Sequence, residues 1–446
     1  MALLTSSLPP APAPAPVEAR PDTLFRVRGG GPLAGEVRIR GAKNAALPII
    51  AATLLSAEPC ILHNVPDIAD IRLMLAVLRH LGARVAFDPA EGRLEVEAAE
   101  ISSRTTPEDL ASRLRGSFLV MGPLLARFGQ ASAPQPGGCV IGNRPLDVPI
   151  RGFIDLGAQV TNVDGRFAAS GRLRGAEMIL DYPSHTGTEN IIMAAAMAEG
   201  ETVIENASTE PEVLDLVDFL RGMGARIAWT GPATVAVQGV SRLHGNVFRL
   251  MPDRLEAGTY LLAGAISRGD VTVDRVVPRH LHAVTAKLRE AGVQVEEGDR
   301  FIRVRPGEGL RAVDIRTYPY PGFPTDLQQP FGALLTQAEG LSTLHETVFE
   351  YRLRYADELR AMGARVEIQG QTATFYGPAR LHGARVSAHD LRAGAAVVLA
   401  GLVAEGETLV ERGHYIERGY ANFAANLRAL GADCEAGCPS PDGPEG

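Results

Sequence analysis

The sequence reads as an α/β protein of two domains, sheets outside and helices within, and three observations lead there. The chain has 446 residues, beyond the ~250–300 at which one hydrophobic core stops growing. A motif of helix end, glycine and strand recurs six times: Leu81-Gly82-Ala83-Arg84-Val85, Leu156-Gly157-Ala158-Gln159-Val160, Met223-Gly224-Ala225-Arg226-Ile227, Ala291-Gly292-Val293-Gln294-Val295, Met362-Gly363-Ala364-Arg365-Val366 and Leu430-Gly431-Ala432-Asp433-Cys434. The stretches between, such as Ile191-Ile192-Met193-Ala194-Ala195-Ala196-Met197-Ala198, are apolar nearly all round. Such helices lie at the centre of a domain rather than on its surface.

Each copy has the same parts. An amphipathic pattern such as Ile71-Arg72-Leu73-Met74-Leu75-Ala76-Val77-Leu78 predicts a helix. The glycine after it is the expected stop signal. An alternating run follows, as in Arg365-Val366-Glu367-Ile368, and predicts a strand. A second motif interleaves: Ala198-Glu199-Gly200-Glu201-Thr202, Ser267-Arg268-Gly269-Asp270-Val271, Ala338-Glu339-Gly340 and Ala404-Glu405-Gly406-Glu407-Thr408. Ser56-Ala57-Glu58-Pro59-Cys60 is a looser copy, and Phe128-Gly129-Gln130 takes its place in the second unit. The period is about 70 residues, longer than solenoid repeats, so each unit is a small module of two helices and three or four strands. Six modules divide into three plus three near Met251-Pro252-Asp253. The expected division is a disordered Pro/Ala-rich leader at 1–23, one domain at 43–251, a second from 24–42 with 252–437, and a tail at 438–446.

Composition narrows the classes of function. Hydrophobic residues make 46% and charged residues 22%, and net charge is −8. That balance argues against a nucleic-acid coat or a basic membrane face, so any bound anion must be met by local arginines. The four cysteines, Cys60, Cys139, Cys434 and Cys438, are too few for a disulfide scaffold, and Cys434 with Cys438 lacks the second pair of a zinc site. No apolar run approaches the ~18–20 residues of a membrane span. Met1–Ala15 is broken by prolines and lacks a basic start, so it does not read as a signal peptide. The expected compartment is cytoplasmic and reducing. No metal or organic cofactor is implied, because neither a ligand cluster nor a dinucleotide fingerprint occurs.

Five stretches could carry chemistry. In Pro136-Gly137-Gly138-Cys139-Val140-Ile141-Gly142-Asn143-Arg144-Pro145, a cysteine follows two glycines and precedes an arginine. Glycines let a loop bend and close on a ligand. Arg144 and Arg115 could tune the thiol of Cys139, with Asp147 nearby; the alternative is a surface turn with an inert cysteine. Gly41-Ala42-Lys43-Asn44 places Lys43 and Asn44 at a helix N-terminus, which favours anions, unless Asn44 is merely a cap. Tyr182-Pro183-Ser184-His185-Thr186-Gly187 suits a phosphate at another helix start, or simple capping. Pro321-Gly322-Phe323-Pro324-Thr325-Asp326 holds Asp326 at a third start, where a carboxylate could take a proton from a hydroxyl or act as an N-cap. Arg352, Arg392 and Arg418 suit a clamp on carboxylate and phosphate, or ordinary surface salt bridges.

Taken in order, Lys43-Asn44, the Pro136–Arg144 loop, Phe323-Pro324-Thr325-Asp326, Phe349-Glu350-x-Arg352, Asp390-Leu391-Arg392 and Arg418-Gly419-Tyr420 resemble the motifs of the UDP-N-acetylglucosamine 1-carboxyvinyltransferases, enolpyruvyl transferases related to EPSP synthase. The resemblance covers about Leu24 to Cys434. It implies two inside-out, barrel-like α/β domains, each of three βαβαββ repeats. It implies transfer of the enolpyruvyl group of phosphoenolpyruvate to the 3′-hydroxyl of UDP-N-acetylglucosamine, committing carbon to peptidoglycan and thus to cell shape and division. Cys139 would protonate C3 of phosphoenolpyruvate and be the site of alkylation by fosfomycin. Asp326 would take the hydroxyl proton, and Asp390 would sit beside the reacting carbon. Lys43, Arg115, Arg144 and Arg418 would hold phosphate, and Arg352 and Arg392 the carboxylate. Asn44 would bind the sugar, and Arg144, Pro145, Asp147, Ser184 and Val348 would line the nucleotide-sugar pocket. Pro149, Pro183-Ser184-His185-Thr186-Gly187, Tyr351 and Tyr415 depart from the family pattern, all on or next to the nucleotide-sugar side. The alternatives are a paralogue with another uridine nucleotide as acceptor and a non-catalytic nucleotide-sugar sensor. Both substrates would be small molecules, with no nucleic acid and no membrane involved.

Overall fold

A computed structural model describes residues 23–137, 142 and 146–437. All six repeat glycines end an outer helix or its last turn with positive φ, between 89° and 109°, at Gly82, Gly157, Gly224, Gly292, Gly363 and Gly431. An L side chain strains in that region, which is why the motif keeps glycine there. The interleaved motif has one exception that sequence did not reveal. At Arg268-Gly269 the left-handed residue is Arg268, φ 52°. Gly269 serves close approach instead, since a Cβ there would lie 2.1 Å from the Leu33 carbonyl oxygen.

The central helices are buried on almost every side. In the first half they are Lys43–Ala52, Met121–Phe128 and His185–Ala195; in the second, Arg254–Ile266, Thr325–Leu335 and Leu391–Gly401. Their alanines and glycines permit close packing, as where Ala393 to Ala400 are all buried. Sheets surround them: among the described residues, five have four strands and one, formed by Gln130–Pro134, Arg166–Ser170 and Gln159–Val163, has three.

There are two hydrophobic cores. One runs from Ala42 to Met251 and gains Ala421; the other joins Phe25–Ile39 to Leu255–Cys434. The N-terminal strands therefore serve the second half. Leu24–Arg28 pairs antiparallel with Glu407–Glu411 and Asp433–Gly437, and Ala34–Arg38 pairs parallel with Asp270–Asp274. In the first half, Val247–Arg249 returns to pair with Cys60–His63, which joins the last module to the first.

The chain crosses between the halves twice, and the crossings run side by side. Ala42 N donates to the Met251 carbonyl at 2.8 Å, and Asp253 N to that of Arg40 at 2.9 Å. Asp253 then caps a helix in each half. Its Oδ1 accepts from Leu255 N and Glu256 N, and its Oδ2 accepts from Lys43 N at 3.1 Å. Free N–H groups at both helix starts are thus satisfied by one carboxylate. No helix among the described residues is long and apolar enough to cross a membrane.

Candidate functional site

Between the halves lies a cavity of ≈ 480 Å³ lined from both sides. The first half contributes Lys43, Asn44, Asp70, Arg115, Asp147, Ser184 and His185; the second contributes Asp326, Val348, Arg352, Asp390 and Arg418. Residues spread over most of the sequence therefore converge because helix starts and turns of both halves face one space. Cys139, Arg144 and Pro145 lie outside the described residues. Gly142, from the same stretch, packs against Phe349 and Glu350 of the second half.

Asp326 sits between two buried arginines. It is the second residue of the helix Thr325–Leu335, yet its side chain does not cap that helix. Arg352 Nη2 lies 2.7 Å from Oδ1 and Arg392 Nε 3.1 Å from Oδ2. Burial alone would raise its pKa, but the two guanidinium groups outweigh burial and hold the carboxyl far below the usual range. Arg352 is 4% exposed and Arg392 1%. Arg392 does not itself line the cavity; it lies behind Asp326, with its guanidinium 5.0 Å from the centroid of the Tyr420 ring. Arg352 Nε and Arg392 Nη1 are buried and have no hydrogen-bond partner among the described residues. Buried guanidinium donors are rarely left unmade, and of the two arginines Arg352 lines the cavity, so its Nε has capacity for a ligand oxygen.

Glu346 holds this cluster, and sequence reading passed over it. It is fully buried and accepts from Thr325 Oγ1 at 2.7 Å, Thr317 Oγ1 at 2.9 Å and Val348 N at 2.7 Å. Thr325 Oγ1 in turn accepts from Arg352 Nη1 at 2.9 Å. Asp390 is an N-cap: its Oδ1 accepts from Arg392 N and Ala393 N, and its Oδ2 from Gln329 Nε2 at 3.0 Å. It still lines the cavity.

Arg418 parts company with the other two arginines. It reaches the first half, where its Nε lies 2.8 Å from Asp70 Oδ1. Lys43 Nζ lies 2.7 Å from Asp70 Oδ2. Asn44 is not a cap, because Ala42 holds that position. Ser184 is one, its hydroxyl accepting from Gly187 N at 3.1 Å. His185 sits 3.0 Å from Glu189, one helical turn on. Burial disfavours its imidazolium, but Glu189, with Glu212 and Glu210 beyond, outweighs burial and lifts the His185 pKa to about 9.

A second cavity, ≈ 690 Å³, lies among Leu125, Gly129, Leu173, Met197 and Gly239 of the first half. Its charged lining residues, Arg172 and Glu199, pair with each other at 3.3 Å. Among the described residues no cluster could hold a metal ion.

The family model for EPSP synthase (3-phosphoshikimate 1-carboxyvinyltransferase) matches residues 27–427. The chain belongs to this family of carboxyvinyltransferases. Within the family, it is 48% identical to a UDP-N-acetylglucosamine 1-carboxyvinyltransferase of Gloeobacter violaceus, over 97% of this chain and 94% of that one. It is also 48% identical to the enzyme of the same name from Magnetococcus marinus, over 92% and 98%. Among solved carboxyvinyltransferase-family structures, the enolpyruvyl transferase NikO from Streptomyces tendae superposes with a TM-score of 0.85 at 27% identity, covering 93% of this chain and 98% of NikO. EPSP synthase from Acinetobacter baumannii gives 0.73 at 18% identity, which speaks to the fold alone. The inside-out α/β architecture expected of the family is the one observed.

Proposed function

We propose that the chain transfers the enolpyruvyl group of phosphoenolpyruvate to the 3′-hydroxyl of UDP-N-acetylglucosamine with release of phosphate, the first committed step of peptidoglycan synthesis. The main support is convergence: cations from both halves and the carboxylates of Asp326 and Asp390 face one cavity, in a chain 48% identical to relatives that carry this activity in their names. We place the reaction in the cytoplasm.

Phosphoenolpyruvate carries about three negative charges, so cations must meet it from several directions. Lys43, Arg115 and Arg418 take the phosphate together with Arg144. Arg352 and Arg392 take the carboxylate, Arg352 from the cavity wall with its unpartnered Nε and Arg392 from behind Asp326. The substrate carboxylate then competes with Asp326 for the same guanidinium groups. As their hold on Asp326 weakens, its pKa rises, and it becomes a better base for the sugar hydroxyl. The substrate itself thereby turns on the base.

Cys139 gives its proton to C3 of phosphoenolpyruvate, which leaves oxocarbenium-like charge at C2. Asp390 stabilises that charge. The 3′-oxygen attacks C2 as Asp326 takes its proton. The Cys139 thiolate then takes a proton back from C3 as phosphate leaves C2 with the C–O bonding pair, which restores the double bond and the thiol. Asn44, Arg144, Pro145, Asp147, Ser184 and Val348 hold the nucleotide sugar. Closure of the halves expels water during these steps.

The test is phosphate release from phosphoenolpyruvate with UDP-N-acetylglucosamine, with UMP, and with no acceptor. Release with UDP-N-acetylglucosamine is expected. Release with UMP alone would overturn the acceptor, and none with either would favour a nucleotide-sugar sensor.

A further inference from the structure

The transfer chemistry gives no task to Asp70, a buried charge in the cavity wall. Asp70 lies in the first turn of the helix Ala69–Leu81 and is 2% exposed. A carboxylate there is favoured by the helix dipole, but Asp70 makes no capping bond. Both its oxygens instead face cations. Lys43 Nζ lies 2.7 Å from Oδ2, and Arg418 lies 2.8 Å from Oδ1 through Nε and 3.4 Å from Oδ2 through Nη2. Burial opposes the charge of Asp70, yet Lys43 and Arg418 outweigh it and keep the carboxyl below its ordinary range.

The two cations come from different halves. Lys43 begins a central helix of the first half. Arg418 follows the short helix His414–Glu417, whose Ile416 is packed in the second core. Asp70 and the Arg113 carbonyl, 3.4 Å from Nη2, both hold the Arg418 guanidinium on the first-half side of the cleft. Each cation lies within 3 Å of one carboxylate, so the two lie close together. Closing the cleft without Asp70 would press like charges together before any substrate arrived. With it, the pair is assembled beforehand, which is the cheapest way to meet a phosphate.

We propose that Asp70 is the positioning residue that draws Arg418 across the cleft and sets it beside Lys43 as one phosphate-binding pair. This rests on the phosphate role proposed above for those two cations. Asp70 does not touch the reacting atoms; it acts through Arg418.

The experiment begins with wild-type phosphate release, whose absence would count against the transfer reading and not against Asp70. Binding of inorganic phosphate by calorimetry then tests Asp70 whether or not turnover is seen. In Asp70→Asn, KM for phosphoenolpyruvate and Kd for inorganic phosphate should rise about tenfold or more, with Kd for UDP-N-acetylglucosamine unchanged. Asp70→Glu, which keeps the charge, should recover part of the loss. Adding Asp70→Asn to Arg418→Gln should cost less than about twofold more, because the carboxylate works through that arginine. Unchanged phosphate affinity in Asp70→Asn, or full independent losses in the double variant, would overturn the proposal. If Asp70→Asn does not fold, Asp70→Ser carries the same comparison: phosphate affinity equal to wild type overturns it.

Discussion

A thiol reacts as its thiolate, so burial decides which cysteine is chemically available. Cys60 and Cys434 are both fully buried. Burial pushes the Cys60 thiol up to about 11 and that of Cys434 up to about 12. Neither can be a nucleophile near neutral pH. Fosfomycin should therefore inactivate the protein irreversibly and add its mass to the Cys139 peptide, with none on Cys60 or Cys434 in a peptide map. Label on either buried cysteine would displace the assignment. Asp326 permits a sharper test. Asp326→Asn keeps the shape but loses the base, so kcat should fall about 10²–10⁴-fold. KM for phosphoenolpyruvate should not rise, because Arg352 and Arg392 lose their internal competitor. A raised KM at unchanged kcat would instead make Asp326 a mere brace for the arginines.

The helix start at Ser184 shows what element-level reading captured and what it missed. Ser184 before an apolar run signals a cap, and the hydroxyl does cap. The spacing of His185 and Glu189 places them on one face, but spacing alone does not say that Glu189 is buried and His185 half-buried among other acids. Charge follows from those acids, which raise the His185 pKa against the burial that opposes it. The folded pKa of His185, about 9, stands above the unfolded value of about 6.5. A group raised in this way contributes stability that is complete below the unfolded pKa and is lost as pH rises through the folded one. Wild type should therefore exceed His185→Gln in Tm most near pH 6, and the gap should close between about pH 8 and 10. Calorimetry across that range decides it; a gap that does not vary with pH would show that the ion pair adds nothing.

The six repeats made the fold legible, because a left-handed glycine after every outer helix leaves a mark that needs no tertiary context. The site was legible only in part. Asp326 and the arginines stand in distinctive stretches, whereas Asp70, Glu346 and Asp253 look like ordinary helix-start or strand-end acids. Their roles exist only once the halves meet: Asp253 caps one helix in each, and Asp70 holds Arg418 of the other. The halves also meet away from the crossings, where Thr209 Oγ1 donates to the Tyr320 carbonyl at 3.3 Å and Tyr320 N to Glu210 Oε1 at 3.2 Å. Among the described residues, Gly142 makes the contact between the halves that lies nearest Cys139 in the chain. It has φ of 153°, and a Cβ there would lie 2.5 Å from Glu350 Oε2 and 3.0 Å from Glu350 N. The carboxylate can swing away, but the backbone nitrogen cannot. Gly142→Val should therefore keep this stretch from seating against the second half. Fold stability should be untouched, since the residue lies in neither hydrophobic core. The expected result is a fall of about tenfold or more in kcat/KM for phosphoenolpyruvate, with Tm unchanged. Fosfomycin labelling of Cys139 should slow in parallel. Wild-type turnover and labelling in Gly142→Val would mean that the apposition of Gly142 and Glu350 plays no part in closure.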